Sequence, residues 1–275
     1  MATLIHKGIK LAYEDRGTGR PAFVFVHGWT CDRSFFAPQA EHFARRHRVV
    51  SVDLRGHGES DKPQGQYPIA AYADDIAYVI EQLGLGKVVA VGHSMGGITV
   101  LQLGAAYPDR MAAIVMVDPA PLVFPPELRA GVVMVDPAPL VWPPELKTGV
   151  DAIVAAIEAG NQEPRRQFIA DALFMKTSDK ALVKRVLKVM MAAPSHVAAN
   201  AMKGILAFDG PAVAARCKVP ALHLAANPPL NPPHLMTQWL PNVVNGWTVG
   251  AGHFNMMEVP DQVNSMIDGF LRHHV

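Results

Sequence analysis

Residues 2–16 alternate apolar and polar positions around Gly8, the rhythm of a half-exposed antiparallel hairpin. Beyond the Gly17-Thr18-Gly19 turn the alternation stops. Pro21-Ala22-Phe23-Val24-Phe25-Val26 is apolar on both faces, as a strand buried beneath helices must be. A helix is predicted through Phe35, Phe36, Phe43 and Ala44, then a strand over Arg48–Val52, then an amphipathic helix from Tyr67 to Leu83 that Gly84 and Gly86 end. Val88–Val91 is the next buried strand, followed by a helix stopping near Tyr107-Pro108 and another strand over Met111–Val117. Strict alternation of strand and helix dictates a parallel sheet with right-handed crossovers, an α/β fold with a doubly wound, mostly parallel sheet.

Residues 116–133 then recur almost unchanged as 134–151, with changes such as Phe124 to Trp142 and Arg129 to Lys147. Two copies, rich in proline, are too few for a solenoid. Both Ile114–Val117 and Val132–Val135 have strand character, and continuity with the preceding helix favours the first copy for the sheet. From about 149 to 210 the strands vanish and four helical patterns follow: Val150–Ala159, Pro164–Met175, Ala181–Met191 and His196–Phe208. Strands return at Pro220–Ala226 and Val243–Val249, and a last amphipathic helix runs from Pro260 to about Arg272. This order predicts a core from 1–118 and 211–275, with a helical cap over 119–210 that contains one copy of the duplication.

The chemistry gathers where strands end. Gly92-His93-Ser94-Met95-Gly96 joins a predicted strand to a predicted helix, the setting in which glycines two residues either side let a strained serine project its hydroxyl from the turn. The Met95 N–H, at the start of that helix, is unpaired and lies at the positive end of the helix dipole, suited to a developing oxyanion. A serine hydroxyl needs a base. His253, in the turn between the last strand and the last helix, hangs over the same sheet edge and is the best candidate among twelve histidines. The His27-Gly28-Trp29 turn offers the Trp29 N–H as a second oxyanion donor, with the Trp29 ring as a pocket wall. His27 and His57 are read as structural, His223 as core or surface, and the His93 side chain is expected to point away from the nucleophile. Asp53 is expected to hydrogen-bond its own Arg55-Gly56 loop. Phe254, Met175 and Met202 are candidates for an apolar substrate pocket with Trp29.

Composition narrows the partners. The 275 residues are half apolar with a formal net charge of +1, which leaves no electrostatic footprint for nucleic acid or an acidic membrane. No apolar run approaches a bilayer span. The N-terminus lacks signal-peptide character, and Cys31 and Cys217 form no redox or ligand spacing, so a reducing cytoplasm is expected. No metal or other cofactor is expected. The partner is a small molecule, and a homodimer stays open.

Over nearly its whole length the chain resembles the α/β-hydrolase fold superfamily of the type with a helical cap. His27-Gly28-Trp29, Asp53-Leu54-Arg55-Gly56-His57-Gly58-Glu59-Ser60, Gly92-His93-Ser94-Met95-Gly96-Gly97 and Gly252-His253 carry the resemblance. It implies a serine hydrolase with Ser94 as nucleophile and His253 as base. Most members place the acid after the strand that precedes the histidine strand, here Ala226–Asn231, yet no Asp or Glu lies between Gly210 and Met257. Some relatives place it after the strand that follows the elbow helix, where Asp118 stands, with Asp136 as its duplicate. Alternatively Asn227 replaces a former aspartate, and a lost carboxylate costs roughly four orders of magnitude in turnover. Asp118 is favoured. The main expectation is hydrolysis of a small, largely apolar ester or lactone. The alternatives are a non-catalytic or weakly active ligand-binding protein and a perhydrolase or cofactor-free haloperoxidase-like enzyme.

Overall fold

The computed structural model of the protein describes residues 2–121, 144–227 and 229–275. The alternating N-terminal segment forms β1 (Ala2–His6) and β2 (Ile9–Arg16), an antiparallel hairpin turning through Lys7 and Gly8. The doubly apolar segments form β3 (Ala22–Val26), β4 (Val49–Val52), β5 (Val88–His93), β6 (Met111–Val117) and β7 (Ala221–Ala225), and β8 (Val243–Trp247) closes the far edge. Together they make one sheet in the order β1-β2-β4-β3-β5-β6-β7-β8. Every pairing beyond β2–β4 is parallel. All residues of β3, β4, β5 and β7 are buried, because helices cover both faces.

A 3₁₀ turn over Arg33–Phe36 leads into α1 (Ala37–Phe43). Next comes α2 (Ile69–Gln82), which begins later than its apolar pattern because Pro68 holds extended backbone at the N-cap. It buries Tyr72, Ile76, Val79 and Ile80 along one stripe, each such side chain contributing about 1.5–3 kcal/mol. By contrast α3 (Met95–Ala106) is apolar around most of its circumference, as its contacts with β3, β5, β6 and α2 require.

Between β6 and β7 lie α4 (Pro144–Glu158), α5 (Glu163–Ala172), α6 (Lys180–Ala192) and α7 (Ser195–Leu206), with no strand among the described residues. This insertion is linked through contacts of α4 with α5 and α7, and of α5 with α6. The chain re-enters the sheet region through α8 (Gly210–Arg216), which packs on α3, and completes it with α9 (Pro233–Trp239), α10 (Asn255–Glu258) and α11 (Pro260–His274). Met116 and Val117 stand in β6, so the first copy of the duplication supplies the strand; Val132–Val135 and Asp136 lie outside the described residues. No helix among the described residues is long and apolar enough to cross a membrane.

Candidate active site

Ser94 occupies the sharp turn between β5 and α3 at φ 54, ψ −117. The turn is possible because a Cβ on Gly92 would strike the Gly96 carbonyl oxygen, and one on Gly96 the carbonyl oxygen of Val26. The Ser94 N–H donates to Val117 O at 3.1 Å, and its carbonyl accepts from Gly97 N at 2.8 Å and Ala120 N at 2.9 Å. The elbow is thus bound to the end of β6 on one side and to its own helix on the other.

From the end of β6, Asp118 accepts a hydrogen bond at Oδ2 from His253 Nδ1 at 2.6 Å. The other carboxylate oxygen accepts from the backbone N–H groups of Ala226 at 3.2 Å and Leu230 at 3.4 Å. Asp118 is 1% and His253 8% exposed, so the pair is shielded from water, where such a contact is electrostatically stronger. With Nδ1 donating to the carboxylate, Nε2 keeps its lone pair for a proton. Asn227, the competing position for the acid, is exposed, and its backbone N–H donates to Ala251 O at 3.3 Å. The β6 carboxylate reaches across to the loop after β7, and that loop's N–H groups receive it.

Ser94, His93 and His253 line one cavity with Trp29, Cys31, Ala120, Pro121, Val150, Phe168, Leu173, Met190, Met202, Ile205, Leu230 and Phe254. The space open to the centre of a water-sized sphere is ≈ 60 Å³, and its walls are mainly apolar. Trp29, Phe254 and Met202 stand where the sequence suggested, but Met175 does not. The helix carrying it ends at Ala172, so Met175 leaves the inward face and lines a surface groove with Lys176, Val183 and Leu187. Phe168, Leu173, Met190 and Ile205 complete the wall instead.

The Trp29 and Met95 N–H groups have no hydrogen-bond acceptor among the described residues. Gly28, the residue before Trp29, approaches the elbow closely: a Cβ built on it would sit 3.2 Å from Ser94 Cβ. Non-glycine residues with positive φ among the described residues are Lys7, Thr30, Ser94 and Asp118. All but Lys7 border this site, and such strain is retained where surrounding structure over-determines it.

Neighbouring histidines have structural partners. His27 Nδ1–H donates to Gly28 O at 2.8 Å while Nε2 accepts from Leu54 N at 3.0 Å. His57 Nδ1–H donates to Arg55 O at 2.8 Å, and burial pushes its pKa down to about 3. His223 is core and bonds Asn245 Oδ1 at 2.9 Å. The expectation for His93 is corrected: its ring lies 4.6 Å from that of His253 and faces the nucleophile's cavity, because β5 ends against the His253 turn. Burial holds it well below the ordinary histidine value and therefore neutral. Asp53 is structural through other partners than those expected, bonding the Arg33 side chain, Arg33 N at 2.8 Å and Glu59 N at 2.9 Å. Glu258 was not singled out in the sequence. It accepts from Gly252 N at 3.0 Å and from Ser178 Oγ at 2.6 Å, joining the His253 turn to the segment between α5 and α6.

Residues 21–207 match the family described as alpha/beta hydrolase fold. A thermophilic esterase from Thermogutta terrifontis superposes with a TM-score of 0.81 at 26% identity, covering 99% of this chain and 97% of that one. The 2-(acetamidomethylene)succinate hydrolase of Mesorhizobium japonicum is 38% identical over 115 residues, 42% of this chain and 41% of that protein. The bifunctional esterase/perhydrolase DCH of Acinetobacter calcoaceticus is 38% identical over 117 residues, 42% of each chain. The aligned stretches thus span less than half the length of these two curated relatives.

Proposed function

Because the chain belongs to the alpha/beta hydrolase fold family, we propose that it is a serine hydrolase cleaving small, largely apolar carboxylic esters or lactones through an acyl-enzyme on Ser94. The observation that carries this reading is the 2.6 Å bond between His253 Nδ1 and Asp118 Oδ2, at a cavity that His253 shares with Ser94. Ser94 Oγ attacks the substrate carbonyl while His253 Nε2 takes its proton, and the Trp29 and Met95 N–H groups receive the oxyanion. Collapse breaks the carbonyl carbon–oxygen bond to the alcohol, which leaves with the proton from His253. Water then attacks the acyl carbon through the same base, releasing the acid and restoring Ser94. Asp118 keeps the imidazole in the correct tautomer and stabilises the imidazolium.

The cavity's small free volume and apolar walls support a short acyl group over a long chain. The test is hydrolysis of p-nitrophenyl acetate and butyrate, with activity expected from the native chain and lost in Ser94→Ala. Turnover that survives Ser94→Ala overturns the mechanism. A ligand receptor without chemistry drew its support from the missing acid between Gly210 and Met257, and Asp118 supplies that carboxylate from outside the interval.

Perhydrolysis is a second reading, favoured by the likeness to a protein named as both esterase and perhydrolase. Hydrogen peroxide would replace water in the second step and leave as a peracid. Peracid formation from acetate and peroxide, measured beside ester hydrolysis, distinguishes the two.

A further inference from the structure

Trp29 combines two roles that the chain could have kept apart. Its backbone N–H is one of the oxyanion donors in the proposed mechanism, while its indole is held by the helical insertion. Indole Nε1–H donates to Ala198 O on α7 at 2.8 Å, and Phe168 of α5 meets the ring edge-on with centroids 6.3 Å apart. Over the same ring, 5.5 Å from its centroid, lies the guanidinium carbon of Arg165, also on α5.

Arg165 is 1% exposed, and burial is the cause of its shifted pKa, with no carboxylate among the described residues acting on it. Its Nη1 donates to Gln162 Oε1 at 3.2 Å and Ala193 O at 3.1 Å, its Nη2 donates to Met190 O, and its Nε has no partner. Burial lowers its pKa to about 10, which leaves it charged at neutral pH. A buried cation without a counter-ion costs several kcal/mol. The carbonyls at the end of α6 offset part of that cost, since they lie at the negative end of the helix dipole. The indole face supplies a further attraction by cation–π contact.

The turn that Trp29 belongs to needs such restraint. Thr30, the next residue, is β-branched and sits at φ 55. That conformation is strained and persists only where the surrounding structure constrains it. Within the turn, His27 and Cys31 bond to Gly28 O, and the Thr30 hydroxyl has no partner. Trp29 is the residue of this turn whose side chain hydrogen-bonds to the insertion.

We propose that Arg165 is a positioning residue for the oxyanion, which through its contact with the Trp29 indole fixes the Trp29 peptide and couples the oxyanion donor to the seating of α5, α6 and α7. This rests on the serine-hydrolase reading. Arg165 touches no substrate; it acts on the orientation of one N–H. A substrate that draws these helices into register therefore also aims the donor.

The test compares Arg165→Met, Arg165→Lys, Trp29→Phe and the Arg165→Met/Trp29→Phe pair on p-nitrophenyl acetate. Turnover is normalised to sites titrated with a p-nitrophenyl phosphonate, and affinity is measured for a trifluoromethyl ketone that forms a tetrahedral adduct. For Arg165→Met, kcat is expected to fall about tenfold with KM within about twofold, and ketone affinity to fall by the same factor. The paired variant should lose little more than the more damaged single variant, since both act through one ring. The pH profile should keep its shape. Unchanged kcat per titrated site and unchanged ketone affinity in Arg165→Met overturn the proposal, as do losses that multiply in the pair. If Arg165→Met does not fold, Arg165→Lys and Trp29→Phe give the same readouts with charge or ring retained, and wild-type values in both overturn it. Turnover surviving Ser94→Ala instead removes the serine reading and the inference with it.

Discussion

His93 donates its Nε2–H to the carbonyl oxygen of His253 at 2.8 Å, so the residue before the proposed nucleophile holds the backbone of the proposed base. The ring is buried and neutral, and its Nδ1 has no partner among the described residues. Removing the donor frees the His253 backbone on one side, while Glu258, the Asn227 N–H and Asp118 still hold the turn. His93→Phe is expected to lower kcat on p-nitrophenyl acetate by about tenfold with little change in KM, since a misplaced base acts on the chemical step. His93→Gln, whose amide nitrogen can donate to the same carbonyl, should recover most of the loss in the same assay.

The acid is tested by three substitutions. Asp118→Asn keeps the shape but loses the charge opposite His253, and kcat should drop by roughly four orders of magnitude. Asn227→Asp in the native background should leave kcat unchanged, because the Asn227 side chain is exposed and Asp118 already occupies Nδ1. Combining both measures whether the loop after β7 can still host the carboxylate, and rescue above the Asp118→Asn level is not expected. Steady-state kinetics on one ester decides all three.

Much of this site was legible before any coordinates, and the reason is locality. The sharp turn at Ser94 depends on backbone approaches within a few residues, so the spacing of Gly92, Ser94 and Gly96 points to it once a strand is read before it and a helix after it. His253 follows because a turn between the last strand and helix has one place to stand. Asp118 entered only through the family resemblance, in which some relatives place the acid where it stands, beside Asp136 and the Asn227 position as alternatives. What escaped depends on contacts between distant segments. The helical pattern in the sequence continues through Leu173 and Phe174 to Met175, whereas α5 ends at Ala172, which is why Met175 leaves the pocket. Two of the short helices, α8 and α9, have seven residues each and α10 has four, too few to show a period, although the Asp209 cap on Ala212 N was a visible start signal for α8. Arg165 looked like any arginine on a polar helix face until α5 was set against Trp29.

On the proposed mechanism the insertion sets the acyl size. Met202 lines the cavity from α7 and is itself buried. Met202→Ala should shift preference toward longer esters, raising kcat/KM for hexanoate relative to acetate by about fourfold for each additional methylene the space accepts. A chain-length series of p-nitrophenyl esters reads this directly. An unchanged ranking would place the acyl group elsewhere.

Stability should fall in acid through the buried histidines. Burial lowers the pKa of His57 to about 3 and depresses those of His27 and His93, so each lies below the ordinary value of 6.5. The unfolded chain therefore takes up these protons first. Their contribution is complete above pH 6.5 and declines as pH falls below it, for His57 down to about 3, at up to about 1.4 kcal/mol per pH unit for each group. Urea denaturation at pH 7.5 and pH 5 should show the decline, and His57→Gln should flatten it. An identical slope in the variant would remove His57 from the account.

The last two residues of β6 and the carboxylate after them, Met116-Val117-Asp118, have a verbatim twin in Met134-Val135-Asp136. A second segment with the sequence of the strand's end therefore stands eighteen residues downstream. What separates them is the residues leading in, Ala112-Ala113-Ile114-Val115 for the one and Ala130-Gly131-Val132-Val133 for the other, where the glycine weakens the strand. Each copy carries an aspartate directly after the same Met-Val pair, so on the proposed mechanism the repeat holds in duplicate the one residue type that the interval from Gly210 to Met257 lacks.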